Sequence, residues 1–378
     1  MGKHQDILAE LNRDISLQEK LDFLHSFLGA KYDFIERIAI ALYEAQTDKL
    51  RTYADSTSGQ SPLQNYEVQL GSIRSLLEVA EDGHPRVVND LKREYSGPAP
   101  HSRALAARYC ASYTLPMYNK GRFLGFVFFN ASKKNCFDAK VLHDLDMVGH
   151  LIAMTIAAEL ATVQAMTAAL KTARDLSHHR DAETGSHLER MAQYSRLIAL
   201  ELADRHELSD EFIEYLFLYA PLHDIGKIGI PDKVLLKPAK LSDHEFEIMK
   251  RHVDKGREIV DSMVNNFQVD RFPYTHVLRN IVELHHEAVN GEGYLRGLQG
   301  EAIPIEARIV AVADVFDALT SQRPYKMAWS NEQAFAMLHE MAGSKLDADC
   351  VAALCRNEER IIEIQQRFAE TQDTQDSA

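Results

Sequence analysis

From Val141 to Leu170 apolar side chains return at steps of three and four: Val141, Leu145, Val148, Ile152, Ile156, Leu160, Val163, Met166 and Leu170. That period marks one stripe of a long helix. A stripe of this length needs a covering surface, either its own domain or a parallel coiled-coil seam between two copies of the chain. The seam is the preferred expectation, because it would couple the two halves of a homodimer. Before the stripe, between about Phe34 and Phe137, strand-like runs such as IERIAIALYEA and GRFLGFVFFNAS alternate with the turn-rich segments STSGQSP and SGPAP. After Cys136 the strand signals vanish, and beyond residue 170 nearly everything reads as helix. Helical patterns are predicted near 174–205, 210–223, 242–263, 275–287, 304–321, 331–342 and 348–368. Ser242 and Glu245 have the spacing of a capping box, and Pro304 opens the helix that carries IEARIVAVADVFDALT. Two long loops interrupt this helical half, GKIGIPDKVLLKPAK after Asp224 and NGEGYLRGLQGEAIP after His285-His286-Glu287. The expected fold class is α+β multidomain: an antiparallel sheet with flanking helices, a long connecting helix, and an all-α bundle.

Length and charge narrow the function. A chain of 378 residues with 46% apolar and 26% charged residues can bury two separate cores. A net charge of −14 speaks against a general DNA binder, while leaving room for a local basic pocket. The four cysteines form no C-x-x-C pair, so reduced thiols in a cytoplasmic protein are expected. The most apolar run, LIAMTIAAELA from Leu151, is too short to span a bilayer, and no membrane insertion is expected.

Ten of the 17 histidines fall between His178 and His286, so metal-ligand spacing is sought there. Glu183 and His187 stand four apart and would share a helical face, as converging ligands or as a plain exposed pair. His223 continues the apolar stripe of Leu216, Tyr219 and Ala220 and should face inward, with Asp224 beside it; a capped helix end followed by an Asx turn is the blander reading. Lys227 adds a positive charge at the same corner. His252 alone reads as an ordinary helix histidine. Asp314 lies among Val310, Ala311, Val312, Ala313 and Val315, where an unpaired carboxylate would be costly without a cation. His285 and His286 could simply end an amphipathic helix, and on a helix neighbours point about 100° apart.

The order His187, His223-Asp224, Asp314 resembles the HD superfamily of metal-dependent phosphohydrolases. HDIGKIGIP, His252, HHE with NGEGYLRGLQGEAIP, and IEARIVAVADVFDALTSQRPYK resemble the HD-GYP family of cyclic di-GMP phosphodiesterases, from about Ser177 to Trp329. The resemblance implies metal ligands at Glu183, His187, His223, Asp224, His252, His285, His286 and Asp314, with Asp224 bridging and each of the adjacent histidines serving a different ion. It implies two or three divalent ions, iron or manganese, the third accompanying Glu183. His223, Asp224 and Lys227 would be catalytic; Lys227, Tyr294, Arg323 and Lys326 would hold substrate. Residues of roughly 20 to 160 resemble a GAF sensor domain, chiefly through TLPMYNKGRFLGFVFFNASKKNCFDAKVLHDLDMVGHLIAMTIA, which implies a six-stranded antiparallel sheet. The expected organisation is an extension at 1–19, the GAF-like domain at 20–140, the connecting helix at 141–173, the HD-GYP domain at 174–369 and a polar tail at 370–378.

The activity implied by the resemblance is hydrolysis of cyclic di-GMP to linear pGpG by a metal-bridging hydroxide, under GAF-like regulation, with further cleavage to GMP left open. A GGDEF-type protein is the implied partner. Two alternatives stand beside this: a hydrolase preferring another cyclic dinucleotide, and a weakly active cyclic di-GMP-binding module. The sequence departs from its family at Leu295, where Gly293-Tyr294-Leu295 replaces Gly-Tyr-Pro and leaves the backbone freer.

Overall fold

The computed structural model describes residues 6–13, 15–57, 59, 61–94, 100–176, 185–266, 274–322 and 327–369. Its contacts divide into one unit of residues 1–162 with 209–211 and another of 163–208 with 212–378.

In the first unit, Ser16 caps helix α1 (Leu17–Gly29) through a complete capping box with Glu19. Leu17, Leu21, Leu24 and Leu28 then form one buried stripe. Strands β1 (Ile35–Glu44), β2 (Lys49–Thr57), β3 (Glu67–Gln69), β4 (Arg86–Val88), β5 (Ala111–Asn119) and β6 (Arg122–Ala131) make a six-stranded sheet in the order β3-β2-β1-β6-β5-β4, every neighbouring pair antiparallel. This is the sheet that the GAF resemblance implied. The hairpin between β5 and β6 turns at Lys120-Gly121, both with positive φ, as a tight two-residue loop requires. One sheet face packs on α1 through Ile38, Ile40, Tyr113, Leu115, Val127 and Phe129. The other is covered around Leu76, Val79 and Phe126 by α2 (Arg74–Asp82), with the short α3 (Leu91–Glu94) and α4 (Pro100–Arg108) next in the chain.

The striped helix is α5 (Ala139–Leu176), and the division between the units falls within it. Its stripe is buried from inside the chain. Val141, Leu145, Val148, Ile152, Ile156 and Leu160 join the core of α1 and the sheet, while Val163, Met166 and Leu170 join the core of the second unit. The dimer seam expected on this stripe is therefore corrected: these side chains are already covered, and a period of three and four reports that a face is buried without naming its partner. The helix also exceeds the apolar run singled out in the sequence. Its Ala139–Leu170 stretch is long and apolar enough to cross a membrane by length and composition, a test that a core helix with so regular a buried stripe also passes.

The second unit is helical: α6 (Gly185–His206), α7 (Asp210–Tyr219), α8 (Asp232–Leu235), α9 (Asp243–Lys250), α10 (His252–Asn266), α11 (Thr275–Leu284), α12 (Ile305–Thr320), α13 (Asn331–Met341), α14 (Ala348–Cys355) and α15 (Glu358–Arg367). The core runs through Tyr194, Ile198, Leu216, Tyr219, Ile281, Val310 and Phe316. The helix expected over 242–263 is two helices meeting at Arg251, and the one expected over 348–368 is divided between Cys355 and Glu358. Of the helix expected over 174–205, residues 174–176 are the end of α5, 177–184 lie outside the described residues and the rest is α6 from Gly185; the polar tail at 370–378 also lies outside them.

Candidate metal centre

The apolar stripe of α7 carries the chain inward, and Pro221 tightens it into a 3-10 turn (Ala220–Leu222) that delivers His223 fully buried. Asp224 opens a second 3-10 segment, Ile225–Gly229. Gly226 explains how close this segment comes to α10: a Cβ there would lie 1.8 Å from the His252 carbonyl oxygen and 2.4 Å from the Gly256 nitrogen. Only a residue without a side chain allows that approach, which sets Asp224 against His252. His252 itself begins α10, and α11 ends at Leu284, so His285 is its C-cap and His286 has already left the helix.

Seven of the eight expected ligands come together in two adjoining groups. Asp224, His252, His285 and His286 offer ligand atoms within 4.8 Å of one another, and so do His187, His223 and Asp314. Glu183 lies outside the described residues. Both adjacent histidines fall in one group, with ring centroids 4.1 Å apart. This grouping sets both rings around one place, where the resemblance implied a different ion for each.

Orientation of the imidazoles is fixed from behind. Nδ1 of His223 donates to the Ala220 carbonyl at 3.1 Å, that of His252 to the Met249 carbonyl at 2.8 Å, and that of His285 to the Ile281 carbonyl at 2.8 Å. His187 Nδ1 meets the Asp317 carboxylate at 2.7 Å. A carbonyl can only accept, so Nδ1 of His223, His252 and His285 carries a proton, which leaves Nε2 as the position from which each ring can present a lone pair. Those lone pairs face Asp224. Its Oδ1 stands 3.1 Å from His252 Nε2 and 3.6 Å from His285 Nε2, while its Oδ2 stands 3.2 Å from His223 Nε2. Asp224 Oδ1 and the Nε2 atoms of His252 and His285 are buried and satisfied by no hydrogen bond. Acceptors facing acceptors in a buried site require a cation between them, so the residues fit a metal.

Charge in the site obeys the same logic. Burial works to raise the Asp224 carboxyl, but the Lys227 ammonium beside it leads the opposing effects that hold the group well below the usual carboxylate range. Burial pushes His285 down, and burial together with the His285 ring pushes His286 far below the ordinary imidazole value, so both are neutral donors at neutral pH. Lys227 Nζ sits 2.8 Å from Asp224 Oδ2. Tyr294 lies half-buried with its ring 4.8 Å from that of His286. Arg323 and Lys326, expected to hold substrate, lie outside the described residues.

Asp314 is more exposed than its apolar neighbours suggest, at 22% of its side chain. The fully buried carboxylate of α12 is Asp317, one turn on, which sequence reasoning missed. It pairs with Arg190 through contacts of 2.6 and 3.0 Å and receives His187 Nδ1. Burial would raise its carboxyl, and the His187 and Arg190 hydrogen bonds hold it below its ordinary value. The signal was available as spacing: Arg190 comes three residues after His187, as Asp317 comes three after Asp314. Asp317→Ala should cost about 3–5 kcal/mol, the usual consequence of removing one partner of a buried ion pair. Urea denaturation checks the stability, and a lower metal content in the same preparation would show His187 losing its orientation. Glu287, likewise missed, is buried and accepts from the backbone amides of Arg296 and Leu298 at 2.6 and 2.9 Å, pinning the loop that carries Tyr294. Gly293 lets that loop lie on the Glu287-Ala288 backbone, where a Cβ would meet the Ala288 nitrogen at 2.3 Å.

Residues 181–350 match the HD domain family. The chain is 46% identical over 192 residues, 50% of its length and 48% of the relative's, to the cyclic di-GMP phosphodiesterase response regulator RpfG of Xanthomonas campestris. It is 37% identical over 185 residues, 49% of its length and 33% of the relative's, to the 3'3'-cGAMP-specific phosphodiesterase 2 of Vibrio cholerae. The chain thus spans less than half the length of these curated relatives. Among solved structures, the GAF domain of a phosphoenolpyruvate-protein phosphotransferase from Coxiella burnetii aligns with 41% of this chain and 91% of its own, at 16% identity and a TM-score of 0.34. The ligand order of the motif, the two imidazole and carboxylate groups it assembles and the family match coincide, and all three make the stretch from residue 181 to residue 350 similar to the HD domain family.

Proposed function

We propose that this chain hydrolyses cyclic di-GMP to linear pGpG at the centre around Asp224. The observation that carries the reading is the double aspect of Asp224, whose two oxygens face two groups of Nε2 lone pairs oriented from behind. Asp224 would bridge, His252, His285 and His286 would hold one ion, and His187, His223 and Asp314 another, with Glu183 available to a third. Imidazole and carboxylate donors without thiolate suit iron or manganese. Such ions supply Lewis-acid charge that activates water and neutralises phosphate oxygens.

The protein's own residues do the remaining work. Lys227, now paired with Asp224, brings a cation to the edge of the centre where a phosphodiester would add negative charge. Tyr294 offers a hydroxyl and a ring beside His286, and Arg323 and Lys326 belong to the same substrate-holding role. The carbonyl-anchored imidazoles cannot rotate away without breaking hydrogen bonds, so the site is organised before substrate arrives. Regulation by the N-terminal sheet unit, a GGDEF-type partner docking on the loop around Tyr294 and Leu295, and a cytoplasmic location complete the reading; the four free cysteines agree with a reducing compartment.

A second reading, hydrolysis of a mixed GMP-AMP ring, is favoured by the identity with cGAMP-specific relatives. Turnover of both cyclic dinucleotides by metal-loaded protein, with products separated chromatographically, tests the two together. The expected result is pGpG from cyclic di-GMP at a kcat/KM at least tenfold above that for the mixed ring; the reverse preference would replace the first reading with the second, and binding without turnover would overturn both.

A further inference from the structure

Helix α9 is anomalous in the second unit because none of its residues is buried. It is held by polar contacts: the Ser242 and Glu245 capping box, the Lys237–Glu245 ion pair at 2.5 Å, and the Met249 carbonyl that accepts from His252 Nδ1. Yet it carries Phe246, 46% exposed. A lone exposed phenyl ring is ordinary. This one stands in a particular place. Its ring lies 6.2 Å from that of Tyr294 in a T-shaped contact, and Tyr294 in turn lies 4.8 Å from His286 and 6.4 Å from His252. Lys250 Nζ sits 5.0 Å from the Phe246 centroid and 5.7 Å from that of Tyr294. A row of rings thus runs outward from the candidate ligands to an open phenyl, with the Lys250 ammonium beside it, which also pairs with the exposed Glu247 at 2.6 Å. An aromatic face next to a positive charge is the chemistry that holds a nucleobase and its phosphate.

We infer that Phe246 is the stacking platform for a purine base of the dinucleotide substrate, with Lys250 at its edge, so that α9 is a substrate-binding element. The inference rests on the function proposed above. Phe246 meets Tyr294 and Tyr294 meets His286, so the phenyl ring stands one ring further along the row than Tyr294 from the candidate ligands. Because α9 also supplies the carbonyl that orients His252, a base docked on Phe246 bears on a helix already tied to a candidate ligand. Stacking tolerates any base, so Phe246 should add affinity for cyclic di-GMP and for the mixed GMP-AMP ring alike, leaving the choice between them to other residues.

The test compares Phe246→Ala, Phe246→Leu and Phe246→Trp in the full chain loaded with metal, reading KM and kcat for cyclic di-GMP together with metal content. Alanine and leucine should each raise KM roughly tenfold, the scale of one lost base stack, with kcat within about threefold of the parent and metal content unchanged. Tryptophan should restore KM. Leucine performing like phenylalanine would show that apolar packing suffices and would overturn the stacking role, as would an unchanged KM in Phe246→Ala. If the parent chain cleaves neither cyclic dinucleotide, the proposed function falls and this inference with it. A parent that cleaves cyclic di-GMP beside an indifferent Phe246→Ala removes the inference alone.

Discussion

Asp224→Ala should abolish the proposed hydrolysis of cyclic di-GMP, lowering kcat/KM by roughly 10³ or more, on the scale of losing a preorganised electrostatic contact and the ions it would bridge. The reason lies in its position between the two groups, where Oδ1 faces His252 and His285 and Oδ2 faces His223 and Lys227. Removing it takes a ligand from both sides at once. Among the described residues it also takes away the one carboxylate grouped with His252, His285 and His286, leaving three imidazoles. Fewer metal ions per chain should be found by elemental analysis, while circular dichroism should stay near the parent because the core of the unit runs through Tyr219, Ile281 and Val310 and not through Asp224. A variant with full metal content would refute the bridging role.

Glutamate at both Ile152 and Ile156 should unfold the first unit. Both side chains are buried, at 2% and 0% exposure, in the core made by α1, the sheet and α5. Each replacement removes a large apolar side chain and places a carboxylate where no cation answers it, and the combined cost is on the order of 10 kcal/mol, comparable with the whole stability of a domain. Had the stripe been a seam between copies, the same double variant would be a well-folded monomer. Circular dichroism and sedimentation of the variant separate these outcomes: a folded monomer at half the parent's mass would restore the seam, and loss of sheet signal or insolubility agrees with the packing described.

The contrast between α5 and the metal centre shows which kinds of information a sequence carries. His187, His223, Asp224, His252, His285, His286 and Asp314 could be named because their order resembles a known motif; by spacing alone His252 read as an ordinary helix histidine and His285-His286 as a helix end. Asp317, Arg190 and Glu287 were not singled out, since their work is to orient others through hydrogen bonds that form only when distant segments meet. Gly226 was read as part of a turn, and its close approach to α10 depends on a helix more than twenty residues away. The shared group for His285 and His286 turned on a helix ending at Leu284, a boundary finer than periodicity resolves. The stripe of α5 gave the helix and the buried face correctly, but hydrophobicity has no direction and could not tell an internal core from a second copy.

One measurement bears on the central claim most directly: anomalous diffraction from crystals of the protein loaded with manganese, recorded at a wavelength where the metal scatters anomalously. Two peaks are predicted on opposite sides of the Asp224 carboxylate, one against His252, His285 and His286 and the other against His187, His223 and Asp314. A single peak that leaves one of these groups bare, or ions bound away from Asp224 altogether, would contradict the account.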